Sequence, residues 1–334
     1  MKDSSLLLRL VHESLVRLNV DVQTIYKQMG VRSAHIENTH SRLKHGATDR
    51  FWAITETVTG NPNIGLKVAQ NLPPFKGQVL EYLFFSSPTF GDGLRRALDY
   101  QRLLSDVAQS YLLVEGDDAQ LVLNTKMGSK LNRHFVQCLS YGIIEFFETV
   151  TNGRFKVTRL DFAFPDSGDP DEYQKTFGTE IQFDQADNII HFDASVLEVK
   201  SVHAEPELLK LHEKVAGEHV ARLEQQDLVQ EVRRIIGELL ESHEVTLDLV
   251  AQHLGMTARA LRSALSSAET NFNQVLSDYR CLLAKRLLVR TNESVEEIVY
   301  LTGFSEPSTF YRAFKRWTGQ TPIEYRKSRK GSRV

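Results

Sequence analysis

Apolar residues at positions 6, 7, 10, 11, 15 and 18 recur at three- and four-residue intervals, the period of one helix face, and predict a helix over 6–18. A shorter pattern of the same kind covers 22–29 and stops at Gly30. Helical spacing continues through 49–58 and 63–70 until Pro73-Pro74 breaks it. The pattern is then mixed. Residues 91–104 read as helix, and 111–115 and 119–125 as strands turned at Gly116-Asp117-Asp118. Residues 132–149 form a long apolar helix. Over 156–164, Thr158, Leu160, Phe162 and Phe164 alternate with Val157, Arg159, Asp161 and Ala163, which predicts a strand with one buried face. Residues 179–183 and 189–192 read as two more strands around an Asp187-Asn188 turn. After Pro206 no strand signal remains, and amphipathic helices are predicted over 207–223 and 227–240. The fold class that results is an α+β N-terminal domain followed by an all-α domain. Its expected divisions are 1–205, a linker helix over 206–227, and 228–330.

The last ninety residues contain one pattern twice. Thr246 caps a helix over 247–254, Gly255 makes a turn, and a second helix starts near Ala258. Ser294, with Glu297 three residues on, opens a helix that runs to Thr302 as a capping box. Gly303 makes the turn, and Ser305-Glu306-Pro307 opens the next helix, where proline suits the first turn. Two helices that cross steeply after about three residues need a backbone position with positive φ, which glycine takes without strain. The small or β-branched Ala251 and Val299, four residues before each glycine, suit a close helix crossing. Between the copies, Phe272, Val275, Leu276, Tyr279, Leu282, Leu283 and Leu287 share one face of a helix of about 20 residues, about 30 Å long. One turn of B-DNA is about 34 Å. Such a spacer holds two reading helices in successive major grooves, which makes a plain helical bundle the weaker reading.

Charge changes the picture next. The net charge of −3 hides an asymmetry. From Glu244 onward there are 14 Lys+Arg against 9 Asp+Glu, whereas the first 243 residues carry 26 against 34. A basic end behind an acidic body suits a chain that meets a polyanion only with its tail. No apolar run approaches the roughly 20 residues that span a bilayer, and the N-terminus lacks a signal-peptide pattern, so a cytoplasmic protein away from membranes is expected. Cys138 and Cys281 sit at apolar helical positions and read as free thiols in a reducing compartment.

Residues 230–330 resemble the DNA-binding domain of the AraC/XylS family of transcription regulators. The likeness is carried by VEEIVYLTGFSEPSTFYRAFKRWTGQTPIEYR over 295–326. Within it stand Gly303-Phe304-Ser305, Phe310-Tyr311-Arg312-Ala313-Phe314-Lys315, Gly319 and Pro322-Ile323-Glu324-Tyr325-Arg326. Residues 10–205 resemble, less tightly, the arabinose-binding-like effector domain of one branch of that family, through Gly60-Asn61-Pro62-Asn63-Ile64-Gly65-Leu66 and Ser86-Ser87-Pro88-Thr89-Phe90-Gly91-Asp92-Gly93-Leu94. The resemblance implies a regulator, in most cases an activator, in which a small molecule changes DNA binding or contact with RNA polymerase.

It also implies roles. Arg259, Arg262 and Ser263 match the base-reading face of the first recognition helix, and Ser308, Thr309 and Arg312 that of the second; arginine pairs bidentately with guanine. Ser263 and Ala264 stand where longer, often basic, side chains are frequent, so the first reader contributes less specificity. Lys315, Arg316, Arg326 and Lys327 read as phosphate contacts, with Tyr311 at a sugar or phosphate and the helix ends at Thr246 and Ser294 offering main-chain N–H groups. Leu261, Leu265, Phe310 and Phe314 point inward, and Trp317 packs under a last helix started by Thr321, Pro322 and Glu324. Arg329, Lys330 and Arg333 form a solvated, disordered tail. For the effector, Tyr82, Phe84, Phe85, Tyr100, His134, Tyr141 and Phe147 are the aromatic candidates, although most aromatic residues in such a domain are core. No cofactor or metal is expected.

Two rival readings remain. An enzyme is disfavoured because the sequence has no G-x-S-x-G, no Gly-rich phosphate loop, no H-E-x-x-H and no Cys pair at zinc spacing. Ser41-Arg42-Leu43-Lys44 matches S-x-x-K without its companion motifs, and His40 with His45, or His212 with His219, lacks the further ligands a metal needs. A DNA-binding regulator without an effector is the second rival. The apolar positions 208, 211, 215 and 220 fit either a homodimer seam or packing on their own domain.

Overall fold

The computed structural model describes residues 2–30, 42–126, 131–166, 169–240 and 245–330. The chain divides into two compact units, Met1–Val220 and Ala221–Val334. His40 and Ser41 lie outside the described residues. Among the described residues no helix is long and apolar enough to cross a membrane.

The first unit has two large cores and a smaller cluster of Leu80, Leu83, Leu209 and Ala216. Helices α1 (Ser5–Arg17), α2 (Val22–Met29), α3 (Ala47–Thr59) and α4 (Ile64–Ala69) enclose Leu15, Ile25, Phe51, Trp52 and Val68. Ser4 caps α1 by accepting the Leu6 amide, and Gly30 ends α2 with a φ of 69°. A short antiparallel pair, β1 (Lys2–Ser4) with β2 (Arg42–Lys44), is absent from the sequence reading. Its alternation is too brief to register.

The second core lies between a sheet and helices α5 (Val79–Ser86), α6 (Phe90–Asp99) and α7 (Arg133–Val150). The strands are β3 (Tyr111–Glu115), β4 (Asp118–Leu123), β5 (Val157–Asp161), β6 (Glu180–Gln182) and β7 (Asn188–Asp193), ordered β3-β4-β7-β5-β6. Leu121, Leu123, Leu160, Phe162, Ile190 and Phe192 are buried against Phe90, Leu94, Val136 and Phe147. On the opposite face Arg159 and His191 are register partners, and Asp161 bonds to both. The alternation over 156–164 holds from Leu160 on, but a register shift between Val157 and Arg159 turns Val157 onto the core and leaves Thr158 exposed, and Asp161 and His191 on the opposite face are buried as well.

Three expectations change. The strands around Asp187-Asn188 are not a hairpin. Helix α8 (Pro170–Phe177), capped by Asp169 and ended by Gly178, connects β5 to β6, so β6 pairs parallel to β5 at the sheet edge. Strand β7 then pairs antiparallel with both β4 and β5. The helix expected over 91–104 ends at Asp99 and tightens into a 3-10 turn over Gln101–Leu103. The two helices expected after Pro206 are one, α9 (Pro206–Leu239), because Glu224, Gln225 and Gln226 are good helix formers and supply no stop.

The second unit is all helical: the C-terminal part of α9, then α10 (Leu247–His253), α11 (Ala258–Ser267), α12 (Phe272–Arg290), α13 (Val295–Leu301), α14 (Pro307–Thr318) and α15 (Pro322–Lys330). It holds two small cores. The first joins Val232, Ile235, Ile236, Val250, Leu261, Leu265 and Val275. The second joins Ala284, Leu288, Ile298, Val299, Phe310 and Phe314. Helix α12 belongs to both, through Val275 at one end and Ala284 and Leu288 toward the other.

Candidate nucleic-acid interface

The two turns are built alike. After α10, the Gly255 amide donates to the Gln252 carbonyl at 3.0 Å and the Met256 amide to Ala251 at 2.9 Å. After α13, the Gly303 amide donates to Tyr300 at 2.8 Å and the Phe304 amide to Val299 at 3.1 Å. Both glycines adopt left-handed φ, 64° and 71°. This pattern ties the last carbonyls of a helix to a reversing chain. Ala251 and Val299 are buried, as their small or branched shape at each crossing predicts.

Each turn delivers a second helix with a polar outer face. Thr257 caps α11 by accepting the Ala260 amide. Leu261 and Leu265 face the core, and Arg259, Arg262 and Ser263 are exposed. In α14, Pro307 occupies the first turn, Phe310, Ala313 and Phe314 are buried, and Ser308, Thr309, Arg312, Lys315 and Arg316 are exposed. Arg259, Arg262 and Arg312 form no ion pair among the described residues. At 19 residues, α12 is about 28 Å long.

The remaining sequence candidates fall into distinct settings. Thr246 and Ser294 are exposed caps whose hydroxyls accept the amides of Leu249 and Glu297. The first turns they open carry Asp248, and Glu296 with Glu297, which already occupy the positive ends of those helices. Tyr311 is half-buried beside Phe310, and Lys327 is exposed. Arg326 is half-buried: its Nε donates to the Leu288 carbonyl at 3.2 Å and its Nη2 to Glu293 at 2.6 Å, which ties α15 to the end of α12. Trp317 donates to Ser277 Oγ at 2.8 Å. Thr321 and Glu324 form a reciprocal capping box, and those bonds lower the Glu324 pKa.

The first unit contains a cavity of about 790 Å³ with a mostly apolar wall. Phe85 and Tyr141 are on that wall, with Phe84 and Phe147. Tyr82, Tyr100 and His134 are elsewhere. Tyr82 is exposed and stacks on His212, which also bonds to Ser86. The Tyr100 hydroxyl donates to the Glu213 carbonyl. His134 is buried beside Trp52; its Nδ1 accepts the Gly65 amide at 3.2 Å, which leaves Nε2–H to donate to Glu56 at 3.0 Å. Burial pushes the His134 pKa down, and the His134 hydrogen bond holds Glu56 below its ordinary value.

Residues 20–201 match the model of the arabinose-binding domain of AraC transcription regulators, N-terminal part, and residues 250–328 match a helix-turn-helix domain. The chain belongs to the AraC family of transcription regulators. It is similar to the ornithine utilization regulator of Pseudomonas aeruginosa, 28% identical over 318 residues that cover 92% of this chain and 91% of that one. It is also similar to the transcriptional activator CfaD of Escherichia coli, 33% identical over 94 residues, 28% of this chain and 35% of that one. Among solved structures, the transcriptional regulator CdpR of Pseudomonas aeruginosa matches with a TM-score of 0.41 at 22% identity, over 83% of this chain and 91% of that one.

One residue of this AraC-family unit escaped sequence reasoning. Arg280, on α12, donates to the Gly303 carbonyl at 2.7 Å and lies 4.7 Å from the centre of the Phe304 ring. Its buried Nε has no hydrogen-bond partner among the described residues, and burial lowers its pKa. It braces the second turn from behind. Its spacing on α12 matches the apolar face, and nothing local marks it; only the tertiary fold brings it to Gly303.

Proposed function

We propose that the second unit of this AraC-family regulator grips duplex DNA with α11 and α14 in successive major grooves. The observation that carries the reading is the repetition. Two turns with the same hydrogen bonds, 48 residues apart, each open a helix with an exposed polar face, on a shared helix about 28 Å long. Arg259, Arg262 and Ser263 then meet base edges from α11, and Ser308, Thr309 and Arg312 from α14. Lys315, Arg316 and Lys327, with Tyr311, meet phosphates and set affinity and salt dependence. Phosphates at Thr246 and Ser294 would face Asp248, Glu296 and Glu297, so those ends contribute less. Arg326 acts by holding α15 against α12.

The cavity of the first unit is the site of a small-molecule effector, and its occupancy changes DNA binding. Binding, not catalysis, is the output. Activation through RNA polymerase is supported by CfaD, which bears the name activator. The working divisions are 1–205 for effector binding, 206–227 as linker helix and 228–330 for DNA, in a protein that acts in the cytoplasm. Leu208 and Leu211 are about half exposed on α9 and would form the seam of a homodimer.

The test is selection from a randomised duplex library, with wild type and Arg312→Ala in parallel. Wild type should recover a bipartite motif, and the variant should lose one element, at about 1–3 kcal/mol of discrimination. Salt-sensitive binding with no motif would refute the base-reading assignment.

A further inference from the structure

We infer that the cavity of the first unit takes a neutral, largely hydrocarbon molecule, and not a sugar or an amino acid. The inference rests on the reading of this cavity as the effector site. Its volume, about 790 Å³, suits a single small ligand. Phe84, Phe85, Phe146, Leu94, Leu121 and Leu139 supply carbon surface to the wall.

Several of the polar side chains that reach the wall are already engaged within the protein. Asp3 accepts from Ser105 Oγ at 2.6 Å and pairs with His45 at 2.9 Å. The Gln101 amide donates to the carbonyls of Leu98 and Ser110, and its oxygen accepts the Ser110 amide. Asn124 accepts the Thr125 amide, Gln70 donates to Thr176, and Glu81 accepts the Gly77 amide. Among the described residues of this unit the fully buried side-chain atoms without a hydrogen-bond partner are Asn63 Oδ1, Gln137 Oε1 and Glu172 Oε1, the last ion-paired with Lys67, and none of those residues lines the cavity. A polyol would bring many hydroxyls to a wall that is mostly carbon and whose few polar groups are in part already engaged, and each unmet hydroxyl weakens binding by about tenfold.

The charges disfavour the carboxylate of an amino acid on separate grounds. Among the described residues the wall carries the carboxylates of Asp3, Glu81 and Glu145 against Lys76 and His45, with no arginine. Lys76 is exposed, and His45 is held by Asp3. A ligand carboxylate would meet repulsion and no bidentate cation.

The test is fluorescence titration of the full chain with the neutral probe N-phenyl-1-naphthylamine, competed by 1-decanol, decanoate, L-arabinose and L-ornithine. Gly142→Leu serves as the blocking variant. Gly142 lines the cavity from within α7, and a Cβ there meets only Leu72 Cδ1, at 3.7 Å, which is ordinary contact. Leucine also favours helix more than glycine does, so the melting temperature should not fall. Saturable probe binding, displaced by 1-decanol better than by decanoate and not by arabinose or ornithine, supports the inference if Gly142→Leu weakens it at least about tenfold. Absence of saturable binding, or binding unchanged in Gly142→Leu, overturns it. Should arabinose or ornithine raise the melting temperature of wild type and not of Gly142→Leu, the hydrocarbon class is wrong and the effector site stands. Should the probe bind as expected while 1-decanol leaves affinity for the selected duplex unchanged, the class stands and effector control fails.

Discussion

Gly255 and Gly303 share one conformation and differ in what surrounds them. A Cβ on Gly255 meets open space, whereas a Cβ on Gly303 would stand 2.3 Å from Leu240 Cδ2 and 3.2 Å from Arg280 Nη2. Gly255→Ala should therefore cost only the left-handed strain, about 1 kcal/mol, and Gly303→Ala clearly more. Urea unfolding checks this; equal losses would contradict the packing described for the second turn. His134 gives a second residue-scale expectation. Its folded pKa lies below its unfolded value of about 6.5, so the folded chain binds fewer protons, and stability is lost as pH falls below that value. Glu56, also lowered, acts in the same direction at lower pH. The melting temperature of wild type should fall between pH 7 and 5, and that of His134→Gln should fall less, since a Gln amide can serve both Gly65 and Glu56. Parallel curves would contradict the assignment. The exposure of Arg259, Arg262 and Arg312 was legible because an exposed helix face follows from spacing alone. The contacts of Arg280 and Arg326 were not, because their partners are carbonyls 23 and 38 residues away.

Among the elements, α12 does the most. It gives Val275 to the first small core and Ala284 and Leu288 to the second. Leu288→Ala should cost about 2–5 kcal/mol, the range for a buried leucine left as a cavity. A loss within about 0.5 kcal/mol, the range of an exposed site, would remove α12 from its place as shared scaffold. Long, capped and strongly periodic elements were readable in the sequence: α2 spans residues 22–29 as predicted, and α12 spans 19 residues. The misreadings occurred where pairing is non-local. Nothing between residues 179 and 192 states that β5 lies between β6 and β7, because that order is set by the α8 connection and by burial against α7. The length of α9 was misread for the opposite reason, since a polar stretch without Gly or Pro carries no stop.

Across the whole molecule, DNA recognition was legible and the effector was not. The repeated turn is a local signal, written in glycines, caps and spacing, and it survives without knowledge of the tertiary fold. A cavity is a property of what the side chains leave empty. Phe85 and Tyr141 line it, whereas Tyr82, Tyr100 and His134, chosen on the same chemistry, do not. The acidic body and basic end agree with a polyanion met only by the second unit. The most direct measurement of the two-reader arrangement is hydroxyl-radical footprinting of the full chain on its selected duplex. Two protected patches on one face of the DNA, about 10 base pairs apart, are expected from two reading helices on one spacer. A single patch, or two on opposite faces, would contradict it.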